Sequence, residues 1–123
     1  MEIPEQVKAF VTASFGKEHA HLERTMYWIR ELDPGAGEEL LIAARSHDIE
    51  RAYSPEAKDM KEYRTGTAQK FHETEGGRIM LEFLLKAGYD VSKARRVEEL
   101  ISCHESGGDA EQDLLKDADS LTR

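Results

Sequence analysis

The stretch GEELLIAARSHDIERA, residues 37–52, sets Leu40, Leu41, Ala43 and Ala44 at three- and four-residue spacing, the period of one face of an α-helix. The same stripe runs on into His47 and Asp48, so the spacing predicts one helix from Gly37 to about Ala52 that carries two polar groups inward at its end. Towards the N-terminus the period recurs twice. Pro4 to Phe15 places Val7, Phe10, Val11 and Phe15 near helical spacing and stops at Gly16. Glu18 to Leu32 follows, with a stripe of His21, Thr25, Trp28 and Leu32 flanked by Leu22 and Ile29, and it ends at the turn Asp33-Pro34-Gly35.

Towards the C-terminus the period is lost from Tyr53 to Lys70, which reads as a charged loop with one short polar helix around 56–63. It returns near Phe71, where His72, Gly76, Ile79, Met80, Phe83, Leu84 and Ala87 share a face that Gly88 closes. The pair Gly76-Gly77 inside that helix costs about 1 kcal/mol per residue relative to Ala, and close packing against another helix is a reason to carry it. A further helix begins near Ser92, read as its N-cap, and sets Ala94, Val97, Leu100, Ile101 and His104 on one stripe. Asp109 caps the last, whose face is Leu114, Leu115, Ala118 and Leu121 with Asp119 at its edge. Pro4, Pro34 and Pro55 all fall beside breaks, and no segment has strand period. The expected fold is all-α, a single bundle of about five to six helices.

At 123 residues the chain suits one domain, and 39% apolar content suffices for a core. A net charge of −8 with no basic run argues against nucleic-acid polymers and anionic membranes as partners, and leaves room for a small anionic ligand in one pocket. The single Cys103 cannot form an internal disulfide, and neither a secretion signal nor a membrane-length apolar run is present, so a cytoplasmic location is expected.

Four of these helices share a property: each apolar stripe includes or borders a His or Asp, namely His21, His47 with Asp48, His72 or His104, and Asp119. Burying such groups costs several kcal/mol unless each has a partner, and one divalent cation satisfies several together. A single His on an apolar face is more often a hydrogen-bonded core residue, but the His47-Asp48 doublet is harder to place without a purpose. Mixed nitrogen and oxygen donors suit Mn, Fe, Ni, Co or Zn, whereas a structural Zn site would draw on several Cys. His19 is on a different face from His21 and reads as solvent-facing or as a support to the site.

His21 and Arg24 in His-Leu-Glu-Arg, the doublet His47-Asp48-Ile49, His72 and His104 at later helix ends, and Ala118-Asp119-Ser120-Leu121 together resemble the HD-domain superfamily of metal-dependent phosphohydrolases, over about residues 18–121. The resemblance implies that His21, His47, Asp48 and Asp119 hold a principal metal ion. It implies further that His72 and His104 hold a second one, with Asp48 bridging the two, and that Asp117 stays outside. The implied reaction is hydrolysis of a phosphate ester of a small metabolite or nucleotide by a metal-activated water.

In that scheme Asp48 and Arg51 are the catalytic pair. Arg51 stands where many members carry Lys in His-Asp-Ile-Gly-Lys, and its guanidinium either holds phosphate or pairs with Glu50 or Asp48. Arg51, Arg64 and Lys70, with Lys58 and Lys61, are the substrate-binding candidates, and Tyr53 and Tyr63 offer stacking. Arg24 would pair with an acid beside the site. Two alternatives stay open: a di-iron HD-type oxygenase, and a non-catalytic metal- or nucleotide-binding module. Only four residues follow Asp119, which reads as a minimal member or a chain cut short.

Overall fold

The structure, a computed structural model, describes residues 2–53 and 67–122, with the side chains of residues 67–73 outside the described part. Six helices of nine or more residues and one four-residue turn of helix make up the described chain, and no strand occurs among the described residues. They are α1 (Ile3–Phe15), α2 (Ala20–Leu32), α3 (Glu38–Ser46), the short α4 (Glu50–Tyr53), α5 (Thr67–Lys86), α6 (Val91–Ser102) and α7 (Ala110–Leu121). The all-α expectation holds.

Helix α3 is the hub. It packs against α1, α2, α6 and α7, and Leu40, Ile42, Ala43, Ala44 and Ser46 are all buried. The two alanines leave no side-chain bulk there, so neighbouring helices can close on it. Val7 and Val11 of α1, Leu22, Met26 and Ile29 of α2, Met80 and Leu84 of α5, Val97, Leu100 and Ile101 of α6 and Leu115 of α7 join it in one continuous core. Gly16 and Gly88 take left-handed φ of 76° and 85°, which ends α1 and α5 where the sequence places the stops.

The α5–α6 hairpin explains the glycine pair. A Cβ on Gly77 would lie 2.5 Å from Ser102 Oγ and 2.9 Å from the Glu98 carbonyl oxygen, and one on Gly76 would lie 3.3 Å from Ile101 Cγ2. Only hydrogen fits between the backbones at Gly77, so the helix forgoes propensity to let α6 approach.

Several expectations are corrected. The helix over 37–52 is broken after Ser46: the His47 imidazole takes the Ala44 carbonyl (2.8 Å), the acceptor that the Asp48 amide of a continuing helix would use, and the Ser46 hydroxyl back-bonds the Ile42 carbonyl (2.6 Å). The chain tightens instead to three-residue bonds, Ile49 N to Ser46 O and Arg51 N to Asp48 O, both 3.0 Å. Leu32 and Leu121 lie about half exposed rather than inside, since each is the last residue of its helix. The cap of α6 is Asp90, not Ser92: its carboxylate accepts from the Lys93 amide (3.0 Å). The backbone is helical from Thr67, so α5 begins inside the expected loop, and Tyr53 closes α4; the short helix expected over 56–63 lies outside the described residues.

Candidate metal centre

Two of the candidate histidines are placed by the same local device. His47 follows the last residue of α3 and His104 comes two residues after α6 ends, each in a tight turn. In each the imidazole folds back on the carbonyl three residues earlier, His47 Nδ1 on Ala44 O (2.8 Å) and His104 Nδ1 on Ile101 O (2.6 Å). A carbonyl can only accept, so each Nδ1 carries a hydrogen, and in the neutral ring each Nε2 keeps a lone pair. Both rings are fully buried and 4.9 Å apart between centroids.

Asp119 faces them from α7. The capping box at Asp109 and Gln112 fixes the start of that helix, and Leu115 and Ala118 seat it on the core, which turns Asp119 inward with only 2% exposure. Its Oδ1 lies 2.8 Å from His21 Nε2 and 3.2 Å from His47 Nε2. Asp48, also buried, brings Oδ2 to 3.6 Å from His21 Nε2 and Oδ1 to 3.8 Å from His47 Nε2. His21 comes from the first turn of α2, and its Nδ1 meets Thr122 Oγ1 at 2.6 Å.

Two triads result, His21–His47–Asp48 and His47–His104–Asp119, each with donor atoms within 4.8 Å of one another. The chemistry of this set fits a divalent cation. His47 Nε2, with its Nδ1 hydrogen already spent, is an acceptor facing two acceptor carboxylates, an arrangement that needs positive charge between them. Burial pushes the His47 pKa down, yet Asp48 and Asp119 outweigh it and hold the imidazole above its ordinary value. The field that favours a proton there also favours a metal ion. The donors are nitrogen and oxygen, which suits the transition metals the sequence suggests.

The remaining candidates divide. Arg51 stands beside the cluster, its Nε 3.6 Å from Asp48 Oδ1 and its side chain about 29% exposed. Arg24 is exposed and its neighbour Glu23 is the residue tied across, to Arg45. Asp117 is exposed, as expected. His19 precedes α2, edge-on to Phe15 and 6.2 Å from the His21 ring; burial is the main cause that lowers its pKa. Arg64, Lys58, Lys61 and Tyr63 lie outside the described residues, as do the side chains of Lys70 and His72 on α5.

Sequence reasoning missed two neighbours. Glu105 has a side chain only 7% exposed and puts Oε1 3.7 Å from His104 Nε2. Thr122 touches His21, and its place three residues after Asp119 is the signal that could have found it. No described helix is long and apolar enough to cross a membrane. No curated protein and no solved structure matches the chain. A family model does match, over residues 2–122, and takes in the whole cluster from His21 to Asp119: the chain belongs to the family described as Domain of unknown function (DUF4202).

Proposed function

We propose that the chain is a metal-dependent phosphohydrolase of the HD type, acting on a phosphate ester of a small metabolite or nucleotide. The observation that carries the reading is the convergence of His21, His47, Asp48, His104 and Asp119 from four separate parts of the chain into two triads that share His47. Their order along the sequence is that of the HD signature. His21, His47, Asp48 and Asp119 would hold one ion, and His104, whose Nε2 also faces the cluster, would serve a second.

A divalent ion so held acidifies a bound water and polarises a phosphoryl oxygen. The chain's own groups do the rest. Asp48 and Asp119 are held in place by burial, so their orientation costs nothing at the moment of reaction. Arg51 keeps its guanidinium next to Asp48 and partly open to solvent, where it can take a phosphate oxygen pair and align the ester with the cluster.

The test begins with elemental analysis of protein purified without chelator, native and Asp48→Ala. About one to two equivalents of a transition metal in the native chain, lost in the variant, are expected. Phosphate release from a panel of phosphomonoesters and nucleotides, run with that metal and without oxygen, then decides the reaction. Iron with oxygen-dependent substrate loss would instead identify an oxygenase. Bound metal that raises the melting temperature with no turnover would identify a binding module. No metal after reconstitution overturns the reading.

A further inference from the structure

Of the three described imidazoles in the cluster, His21 alone has its outer nitrogen on a side chain. His47 and His104 give their Nδ1 hydrogens to backbone carbonyls, which no substitution removes. His21 Nδ1 instead meets Thr122 Oγ1 at 2.6 Å, and the same hydroxyl lies 2.9 Å from the Asp119 carbonyl oxygen.

The hydroxyl has one hydrogen. The carbonyl can only accept, so a Thr122 hydroxyl that donates to Asp119 O is left to accept from His21 Nδ1–H. With a cation between Nε2 and the carboxylates, His21 takes the Nδ1–H tautomer, and Nε2, 2.8 Å from Asp119 Oδ1 and 3.6 Å from Asp48 Oδ2, is the one atom it offers. Thr122 also closes α7, its backbone N–H on the same Asp119 carbonyl (3.3 Å).

We infer that Thr122 is a positioning residue of the metal centre: its hydroxyl links the Asp119 backbone to His21 and holds that imidazole in the metal-binding tautomer. The inference rests on the metal reading above and goes beyond it, since nothing in the HD pattern assigns a role to this position. Such partners of a ligating imidazole typically change metal affinity by about 10–100-fold. Valine keeps the shape of Thr122 and removes the hydroxyl, whereas serine keeps the hydroxyl.

The experiment titrates the chelator-treated full chain with Mn²⁺ against a chromogenic chelator, for the native protein, Thr122→Val and Thr122→Ser. Native and Thr122→Ser are expected to bind alike, and Thr122→Val about 10–100-fold more weakly with an unchanged far-ultraviolet spectrum. Long-range ¹H–¹⁵N spectra of the native Zn²⁺ form give a second readout, in which His21 is expected to carry its hydrogen on Nδ1. Native-like affinity in Thr122→Val, or equal loss in both variants, overturns the inference and leaves the metal centre standing. Native protein that binds neither ion overturns both. Should Thr122→Val fail to fold, the spectra decide alone, and a His21 hydrogen on Nε2 overturns it.

Discussion

His21 Nε2 and Asp119 Oδ1 meet at 2.8 Å across 98 residues of sequence. The contact joins the first turn of α2 to the last turn of α7, so the cluster exists only when these two helices are packed together on α3. Asp119→Asn keeps the shape of that group and removes its charge. Affinity for Mn²⁺ is expected to fall at least about tenfold, because the donor set loses one of two buried carboxylates. Thermal unfolding with and without Mn²⁺ checks this: at a metal concentration about 100 times the native Kd the native chain gains about 2.7 kcal/mol, and the variant gains clearly less. An equal gain in both would remove Asp119 from the site.

Gly77→Ala tests why α5 tolerates its glycine pair. Alanine raises helix propensity by about 1 kcal/mol, but its Cβ would meet the Glu98 carbonyl at 2.9 Å, a backbone atom that moves only if α6 moves. Overpacking of this kind costs about 1–3 kcal/mol, so the net effect is expected to be destabilising. Gly76→Ala meets a side-chain methyl at 3.3 Å instead and is expected to cost less. Urea unfolding of both variants orders them, and a more stable Gly77→Ala would contradict the close approach.

The same contrast separates what sequence spacing reveals from what it hides. Spacing placed six helices and, among the described residues, the inward positions His47, Asp48, His104 and Asp119, because burial of a stripe leaves a period of three to four. It did not place the break at His47. That break depends on where the His47 side chain finds its acceptor, Ala44 O, and a periodic pattern carries no record of it. Leu32 and Leu121 continue their stripes in sequence yet sit about half exposed, because at the last residue of a helix no neighbour remains to cover them. Thr122 escaped for a related reason: its role is set by a contact 101 residues away.

Asp109 fixes the angle at which α7 delivers Asp119, and its protonation is expected to be visible in acid. The Gln112 amide and then the Arg96 guanidinium hold its carboxyl below the ordinary aspartate range. A depressed carboxylate adds stability that is fully present above its unfolded pKa, about 3.9, and is lost as pH falls through the lower folded value. Asp109→Ala is therefore expected to melt a few degrees below the native chain at neutral pH. The gap should close as pH drops below about 4. A gap independent of pH would assign the effect to helix propensity rather than to the charged cap.

Arg51 and Asp48 can be separated by what each loss changes. Asp48 belongs to a donor triad, whereas Arg51 Nε lies 3.6 Å from Asp48 Oδ1 and offers no donor to a metal. Arg51→Ala is expected to keep the native metal content and to raise KM for the phosphate ester about tenfold or more, since a bidentate guanidinium–phosphate contact is lost. Arg51→Lys should recover part of it, because an ammonium supplies the charge without the paired hydrogen bonds. Metal content and steady-state kinetics on the same preparations read both effects. If Arg51→Ala instead lost the metal with no separate change in KM, the guanidinium would act by steadying Asp48, and the phosphate contact would have to come from elsewhere on the chain.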